Sequence, residues 1–299
     1  MLKRTLIFIF SSTLFFGTVR AESSEKISNL RIAAEAGNAD AQFRLGGMYY
    51  SGAGVEKNYA DALKWVSLAA QQGFAKAQYN LGEMFYKGQG VDQNYAEAAK
   101  WFRLAAVQGM AEAQHNLAVS YASGKGVVKD LAEAVKWYGL AAAQGDAKSR
   151  YNLGVSYATG AGVVQNLDEA VKWYKLAAEQ GHVMAQNNLG VMYAKGSGVL
   201  QNYTEAAKWF RLSAMQGNLK SQLTLGLMSE KGYGVAKNLN EARKWYKLAA
   251  EQGSPVAQKK LSEIEQGKTF NHPKVLKEHQ LAVDTGYSSG HLNLLPISN

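Results

Sequence analysis

The spacing of the tryptophans constrains this chain more than any other feature of its sequence. All six lie 36 residues apart without a slip, at Trp65, Trp101, Trp137, Trp173, Trp209 and Trp245. A fixed period of about 20–50 residues is typical of repeat arrays, in which each unit packs against its neighbours. The spacing therefore predicts a solenoid. It also favours a function that uses a long binding surface over one that uses a single buried catalytic pocket.

Each unit is predicted to contain two helices, as the first unit, residues 38–73, illustrates. Apolar residues recur with i, i+4, i+7, i+8 spacing over residues 39–50, which we name helix A. A second apolar face over residues 59–72 defines helix B. Gly52 and Gly73 follow the two helices, and both glycines recur in every unit, at positions where a left-handed residue is needed. The period therefore corresponds to one helical hairpin.

The start of helix B carries a recurrent capping signal. Asn58 precedes the helix and Asp61 follows three residues later, a spacing that lets both side chains satisfy the first backbone amides. The equivalent pairs are Asn94/Glu97, Asp130/Glu133, Asn166/Glu169, Asn202/Glu205 and Asn238/Glu241.

Small residues in the middle of helix A indicate where helices approach closely. A helical glycine costs about 1 kcal/mol relative to alanine, yet five of the six units have one. The series is Gly46, Gly82, Ala118, Gly154, Gly190 and Gly226. We expect the pair Ala69–Ala70 and its equivalents to be the counterpart, and the tryptophans to fill the gap between adjacent hairpins.

The repeats occupy the middle of the chain. Lys3 and Arg4, followed by an apolar run over residues 6–17, predict a signal peptide over residues 1–21 that is cut after Ala21. Residues 22–37 resemble a lone helix B and residues 254–267 a lone helix A, which we interpret as capping half-repeats around six units over residues 38–253. Residues 268–299 do not follow the 36-residue period and are treated as a tail. We expect a periplasmic or secreted protein with no membrane segment after signal cleavage.

Charge and cysteine content narrow the possible partners. Removal of Lys3, Arg4 and Arg20 with the signal peptide leaves 33 − 3 = 30 basic residues against 24 acidic ones, a net charge of +6. This moderate positive charge favours anionic partners, although nucleic acid is an improbable ligand for an exported protein. The chain has no cysteine, so disulfides do not brace it.

The repeated motif resembles a known family. The patterns A-x-A-Q-x-x-L-G-x-x-Y, G-x-G-V-x-x-N and A-x-K-W-[FY]-x-x-A-A-x-Q-G, seen for example over residues 111–145 and 183–217, resemble the Sel1-like repeat, a relative of the tetratricopeptide repeat. The resemblance covers about residues 24–266. It implies an all-α, right-handed superhelical solenoid of helix-turn-helix repeats that serves as an adaptor or scaffold. Exported bacterial members are associated with envelope assembly, signalling regulators and host-cell interaction.

Several motifs favour structural interpretations. The Gly-x-Gly loops join helix to helix, so we interpret them as turns and predict no cofactor. A lysine precedes every tryptophan, but each has an acidic residue three positions earlier, which favours local pairing on a solvated face. The five histidines lack paired metal-ligand spacing, and we interpret them as surface residues.

Partner contacts are expected at positions of helix A that vary between units. A specific ligand has no 36-residue period, whereas packing does. In this family helix A is expected to line the concave surface, where the variable series are those of residues 43, 44, 47, 50 and 51. One series forms a polar ladder, Asn80, Asn116, Asn152 and Asn188, which would suit the backbone of an extended peptide. The alternative is that each asparagine bonds the backbone of a neighbouring unit.

An aromatic flank supplies the other candidate contacts. It consists of Phe43, Tyr79, His115 and Tyr151 in the first four units, and Tyr50 and Tyr86 add to it. Aromatic side chains are frequent anchors at interfaces, but ordinary edge packing between units is the somewhat better explanation of this series. The sequence therefore predicts a non-enzymatic protein-interaction scaffold. A glycan- or lipid-surface binder and a cell-wall hydrolase are the alternatives, and the hydrolase would need a convergent catalytic cluster.

Overall fold

A computed structural model describes residues 25–267. The predicted signal peptide and the tail over residues 268–299 lie outside the described residues. Residues 25–267 form fourteen helices and no strand. None of these helices combines the length and the apolar character needed to cross a bilayer.

The helices alternate between the two predicted types. The first, α1, covers residues 25–35 and occupies a helix B position. The helix A elements are α2 (Ala39–Ser51), α4 (Ala75–Lys87), α6 (Ala111–Ser123), α8 (Ala147–Thr159), α10 (Val183–Lys195) and α12 (Leu219–Lys231). The helix B elements are α3 (Tyr59–Gln71), α5 (Tyr95–Val107), α7 (Leu131–Ala143), α9 (Leu167–Glu179), α11 (Tyr203–Met215) and α13 (Leu239–Glu251). A last helix A, α14 (Pro255–Glu265), follows. The predicted all-α repeat solenoid is confirmed.

The helices fall into two compact units, which divide within the third repeat. The first unit contains residues 25–120 and 124–128, and the second contains residues 121–123 and 129–267. Within the first unit, α2 packs on α3, α3 on α4 and α4 on α5. Within the second unit, each helix from α7 to α14 packs on the next. Successive helices are therefore the packing partners in both units.

The helix ends follow from the capping residues. Asn58 is extended, and its Oδ1 accepts hydrogen bonds from the amides of Ala60 and Asp61 at 2.9 and 3.2 Å. Its Nδ2 donates to Asp61 at 2.7 Å. The equivalent Asn or Asp caps each later helix B through its side chain. Gly52 ends α2 in the left-handed region, with φ of 80°. The predicted boundaries of both helix types are therefore correct to within one residue in the first repeat.

In four repeats, the glycine of helix A lies against a ring on helix B of the same repeat. A Cβ built on Gly154 would lie 2.6 Å from Cδ1 of Tyr174, too close for any real contact. The same closeness recurs in the pairs Gly82–Phe102, Gly190–Phe210 and Gly226–Tyr246. The prediction that the alanine pair lies against this small residue was wrong. Ala69 and Ala70 belong to a cluster with the next repeat's helix A, because the residue after the tryptophan already fills the space beside the glycine.

In three repeats, the tryptophan of helix B packs on helices of the repeat before it. Trp101 on α5 packs on the cluster formed by α3 and α4, and Trp209 on α11 packs on the cluster formed by α8, α9 and α10. Trp245 lies within the cluster that contains residues of α10, α11 and α12. In these three repeats the tryptophan therefore fills the gap between adjacent hairpins, as the period predicts.

A pair of alanine substitutions tests the close contact. Gly154→Ala forces its methyl group into Tyr174, and the strain of about 1–3 kcal/mol exceeds the gain in helix propensity of about 1 kcal/mol. Gly139→Ala on α7 meets no atom within 4 Å and gains the propensity alone. Urea unfolding should show a net loss of up to about 2 kcal/mol for the first variant and a small gain for the second. Equal gains in both would disprove the contact.

Candidate functional site

Buried glutamines, to which the sequence analysis assigned no role, connect successive repeats. Gln78 Nε2 donates to the carbonyl of Ala70 at 3.2 Å, and Gln108 Nε2 donates to Gln78 Oε1 at 2.7 Å. The same glutamine pair is formed by Gln42–Gln72, Gln186–Gln216 and Gln222–Gln252. The sequence could have revealed this pair, because both glutamines recur in the family motif and lie 30 residues apart within a repeat. These bonds satisfy a carbonyl of the preceding helix B, the task that the alternative interpretation gave to the asparagines.

The asparagine ladder is largely enclosed. Asn116 and Asn152 are 2% and 1% exposed, whereas Asn80 and Asn188 are partly exposed. Asn116 Nδ2 donates to Oε1 of Glu83, in the helix A of the preceding repeat, at 2.9 Å. The expectation that this series is exposed is therefore wrong for Asn116 and Asn152. The physical reason, at least for Asn116, is that the position faces the previous helix A.

The aromatic flank is likewise used in packing. His115 and Tyr151 are 4% and 6% exposed, which corrects the expectation that His115 lies on the surface. The Tyr151 ring stacks on His182, with centroids 4.6 Å apart. Burial raises the pKa of Tyr151, and a hydrogen bond with Asn188 acts in the opposite direction. Tyr79, which is partly exposed, packs on the Phe102 ring at 5.9 Å. The binding role of this flank stays a prediction.

Tyr86, the remaining predicted contact, belongs to an aromatic surface of the first unit. We name Tyr50, Tyr59, Tyr86 and Tyr95 the tyrosine row. Tyr50 and Tyr59 meet edge to face with ring centroids 5.2 Å apart, and Tyr86 and Tyr95 do so at 5.0 Å. All four are partly exposed. Each pair combines the end of a helix A with the start of the helix B that follows it.

The loop of the following repeat covers each tyrosine pair with a polar residue. Gly90 lies so close to the backbone of Tyr59 that a Cβ would overlap its carbonyl, and Gly126 lies equally close to Tyr95. Because these glycines lie so close to helix B, the residues that precede them, Gln89 and Lys125, lie beside the tyrosine rings. Gln89 Oε1 accepts a hydrogen bond from Tyr50 at 2.7 Å. Sequence analysis recognised the loops as turns but missed this contact.

Two lysines give the tyrosine row a positive character. Lys125 Nζ lies 5.8 Å from the Tyr86 ring centroid and 5.2 Å from that of Tyr95. Lys57 Nζ lies 4.7 Å from the Tyr59 ring centroid, and a hydrogen bond with Tyr59 raises the pKa of this lysine. The Lys57 ammonium therefore remains charged at neutral pH, and both lysines lie beside partly exposed aromatic rings. Such a surface can bind apolar and acidic groups of a partner together.

The lysines that precede the tryptophans pair locally, as predicted, in five repeats. Lys100, Lys136 and Lys172 each lie 2.5 Å from the glutamate three residues earlier. Lys208 pairs with Glu205, and Lys244 lies 3.7 Å from Glu241. The glutamates raise the pKa of Lys136 and of Lys172. The exception is Lys64, whose Nζ lies 5.2 Å from the Trp65 ring centroid, while Asp61 bonds Asn58.

The second unit contains a buried ionic cluster around Glu230. Its Oε2 accepts a hydrogen bond from Tyr246 at 2.9 Å and lies 3.5 Å from Nζ of Lys260. Lys231 lies 3.0 Å from Oε1, and Lys260 also lies 3.3 Å from Glu263. Burial is the largest single influence and raises the pKa of Glu230, but Lys231, Lys260 and Tyr246 together outweigh it and lower the pKa. Glu230 is therefore ionised at neutral pH and unsuited to act as a general acid.

Sequence comparison places these features in a family. A sequence model of the Sel1 repeat matches residues 39–74, 75–110, 111–146, 147–182, 183–218 and 219–254. The chain belongs to the Sel1 repeat family. Sel1 repeat proteins are generally scaffolds for protein–protein interaction. No curated protein sequence matches the chain.

Solved structures of Sel1 proteins share the fold. A protective antigen present in uropathogenic Escherichia coli strains, described as displaying an SLR fold, is 38% identical over 88% of this chain, with a TM-score of 0.79. The match covers 56% of that longer protein. A Sel1 repeat protein from Oxalobacter formigenes is 35% identical over 77% of this chain and 96% of its own length, with a TM-score of 0.64.

Substitutions of Lys260 on α14 and of Glu230 on α12 test the ionic cluster. Lys260→Met removes one counter-charge from the buried Glu230 and should lower the free energy of unfolding by about 3 kcal/mol. The double variant Lys260→Met/Glu230→Gln also removes the buried negative charge, which Lys231 alone compensates less well, and should recover most of this loss. Urea unfolding followed by circular dichroism measures both. If the double variant were less stable than Lys260→Met, the cluster would owe its stability to something other than charge compensation.

Proposed function

We propose that this Sel1 protein is an exported, non-enzymatic scaffold that binds a protein partner in envelope processes or host interaction. The partner docks on the helix A side of the first unit, with the tyrosine row as its anchor. The observation that carries the proposal is the row itself, four partly exposed tyrosines in two edge-to-face pairs beside two lysines. Tyrosine combines a large apolar contact area with a polar group, and it is enriched at binding hot spots.

The distribution of contacts supports the first unit as the docking region. Asn116, His115, Tyr151 and Asn152 are buried in the folded chain, so a partner would have to separate repeats to reach them. Tyr86 and Asn80 are partly exposed and lie on one helix, α4. A partner can therefore contact them without disturbing the array. Acidic side chains in that partner would complement Lys57 and Lys125.

Export to the envelope is supported by two independent observations. The first 21 residues have the layout of a cleavable signal peptide. The similar protein from uropathogenic Escherichia coli is described as a protective antigen, a property that fits a protein accessible outside the cytoplasm. We therefore propose that this scaffold functions in the periplasm or outside the cell.

A comparison of two tyrosine variants tests this proposal. Tyr86→Ala/Tyr95→Ala removes one pair of the row. The matched control, Tyr203→Ala/Tyr233→Ala, removes a stacked pair in the second unit whose centroids are 5.7 Å apart. Pull-down from envelope and medium with the mature chain, residues 22–299, should retain a partner with the wild type and the control but lose it with the row variant.

Circular dichroism must first show that both variants keep wild-type helicity. Equal retention of the partner by both variants would overturn the tyrosine row as the docking site. Binding to purified glycans or to anionic vesicles, with no protein retained, would instead favour the alternative of a glycan- or lipid-surface binder.

A further inference from the structure

Three consecutive repeats carry an apolar residue at the tip of the loop that joins helix A to helix B. Val128, Val164 and Leu200 are 88%, 86% and 89% exposed, so these side chains contribute little to packing. The first two repeats have Glu56 and Asp92 at the same position. The fold therefore tolerates acidic residues there, and the apolar residues need another explanation. Val164 and Leu200 both lie in the second unit.

The loops of the second unit lie side by side along one edge. A Cβ built on Gly198 would lie 2.4 Å from the carbonyl oxygen of Leu167, and one built on Gly234 would lie 2.1 Å from that of Tyr203. The loop after α10 therefore packs on the start of α9, and the loop after α12 packs on the start of α11. In both cases the apolar tip of the preceding loop lies three residues before the contacted residue. The two tips thus stand on the same edge, one repeat apart.

Two exposed tyrosines continue this edge. Tyr203 and Tyr233 are 43% and 39% exposed, and their rings stack with centroids 5.7 Å apart. Tyr203 begins the helix that the loop after α12 contacts, and Tyr233 belongs to that loop. Tyrosine has an apolar ring and a polar hydroxyl group, and it is enriched where hydrocarbon meets water at a membrane surface.

The same edge is positively charged. The loops that follow α8, α10 and α12 contain Lys195, Lys231 and Lys237 and no acidic residue. Lys231 is paired with the buried Glu230, so Lys195 and Lys237 supply the charge. The acidic residues that begin α9, α11 and α13 lie near lysines of their own helices. A positive edge complements an anionic surface.

We propose that this edge of the second unit attaches the protein peripherally to an anionic lipid surface. We name it the loop edge, and it consists of Val164, Leu200, Tyr203, Tyr233, Lys195 and Lys237. The aliphatic tips enter the acyl layer, the tyrosines lie at the level of the headgroups, and the ammonium groups face lipid phosphates. Isolated aliphatic tips suit a fluid acyl layer, because it needs no preformed pocket for each side chain. The tyrosine row, in the first unit, is a separate surface for the protein partner.

Co-sedimentation with vesicles tests the proposal on the mature chain, residues 22–299. The wild type should bind vesicles made of equal parts phosphatidylglycerol and phosphatidylcholine. Val164→Ser/Leu200→Ser should lower the partition coefficient by about tenfold or more, because both buried aliphatic side chains are lost. The matched control Leu212→Ser/Met215→Ser removes two exposed apolar residues near the other end of α11, 44% and 71% exposed, and should bind as the wild type does.

The charge of the loop edge has its own test. Lys195→Gln/Lys237→Gln should weaken binding to the anionic vesicles by about tenfold at low salt and reduce its dependence on salt concentration. Pure phosphatidylcholine vesicles should bind the wild type weakly. Circular dichroism must show wild-type helicity for every variant.

Four results would overturn the proposal. They are no binding of the wild type to anionic vesicles, equal binding of the two serine variants, equal binding of the wild type to anionic and pure phosphatidylcholine vesicles, and capture of a protein through Val164 and Leu200 without vesicle binding. The last result would identify a protein as the occupant of the loop edge. None of them depends on whether the tyrosine row binds a partner.

Discussion

The contact between the small residue of helix A and the residue that follows the tryptophan on helix B sets the geometry of the hairpin. In four of the six repeats, an aromatic ring lies where the Cβ of a larger residue would stand. Glycine in a helix costs about 1 kcal/mol relative to alanine, and burial of an aromatic side chain contributes about 1.5–3 kcal/mol. The close approach therefore stabilises the hairpin in spite of the glycine. Because the hairpin is narrow, its tryptophan can reach the preceding repeat and its loop can lie against the preceding helix B.

The joints between repeats combine apolar packing with buried amides. Tryptophans and alanine pairs supply the apolar part, and the glutamine pairs give the buried glutamine amide partners in its own repeat and on a backbone carbonyl of the preceding helix B. A buried polar group without a partner would cost about 1–3 kcal/mol, so these amides also fix the register of one repeat on the next. The residues that recur in every repeat are therefore used to pack the repeats together. The proposed recognition surface, the tyrosine row, consists instead of residues that vary between repeats and remain accessible.

The sequence was sufficient to predict the fold because its strongest signals are local. Asn58 and Gly52 mark helix ends through their own backbone preferences, and the spacing of Trp65 from its equivalents defines the period. The site was harder to predict, because periodicity identifies equivalent positions without showing what each one faces. Asn116 appeared to be a variable surface position, yet it faces Glu83 of the previous repeat. Tyr86 was identified as a candidate, but its partners Tyr95 and Lys125 lie on other elements and become neighbours only in the folded unit.

The central claim is that the partner contacts the tyrosine row and leaves the asparagine ladder within the array. Site-specific photo-crosslinking in living cells tests it most directly, with benzoyl-phenylalanine incorporated in separate variants at Tyr86, Asn188 and Leu104. These positions represent the row, the most accessible part of the ladder in the second unit and an exposed site on helix B. The account predicts an adduct with a protein partner at position 86 and none at the other two. An adduct at position 188 without one at position 86 would contradict it.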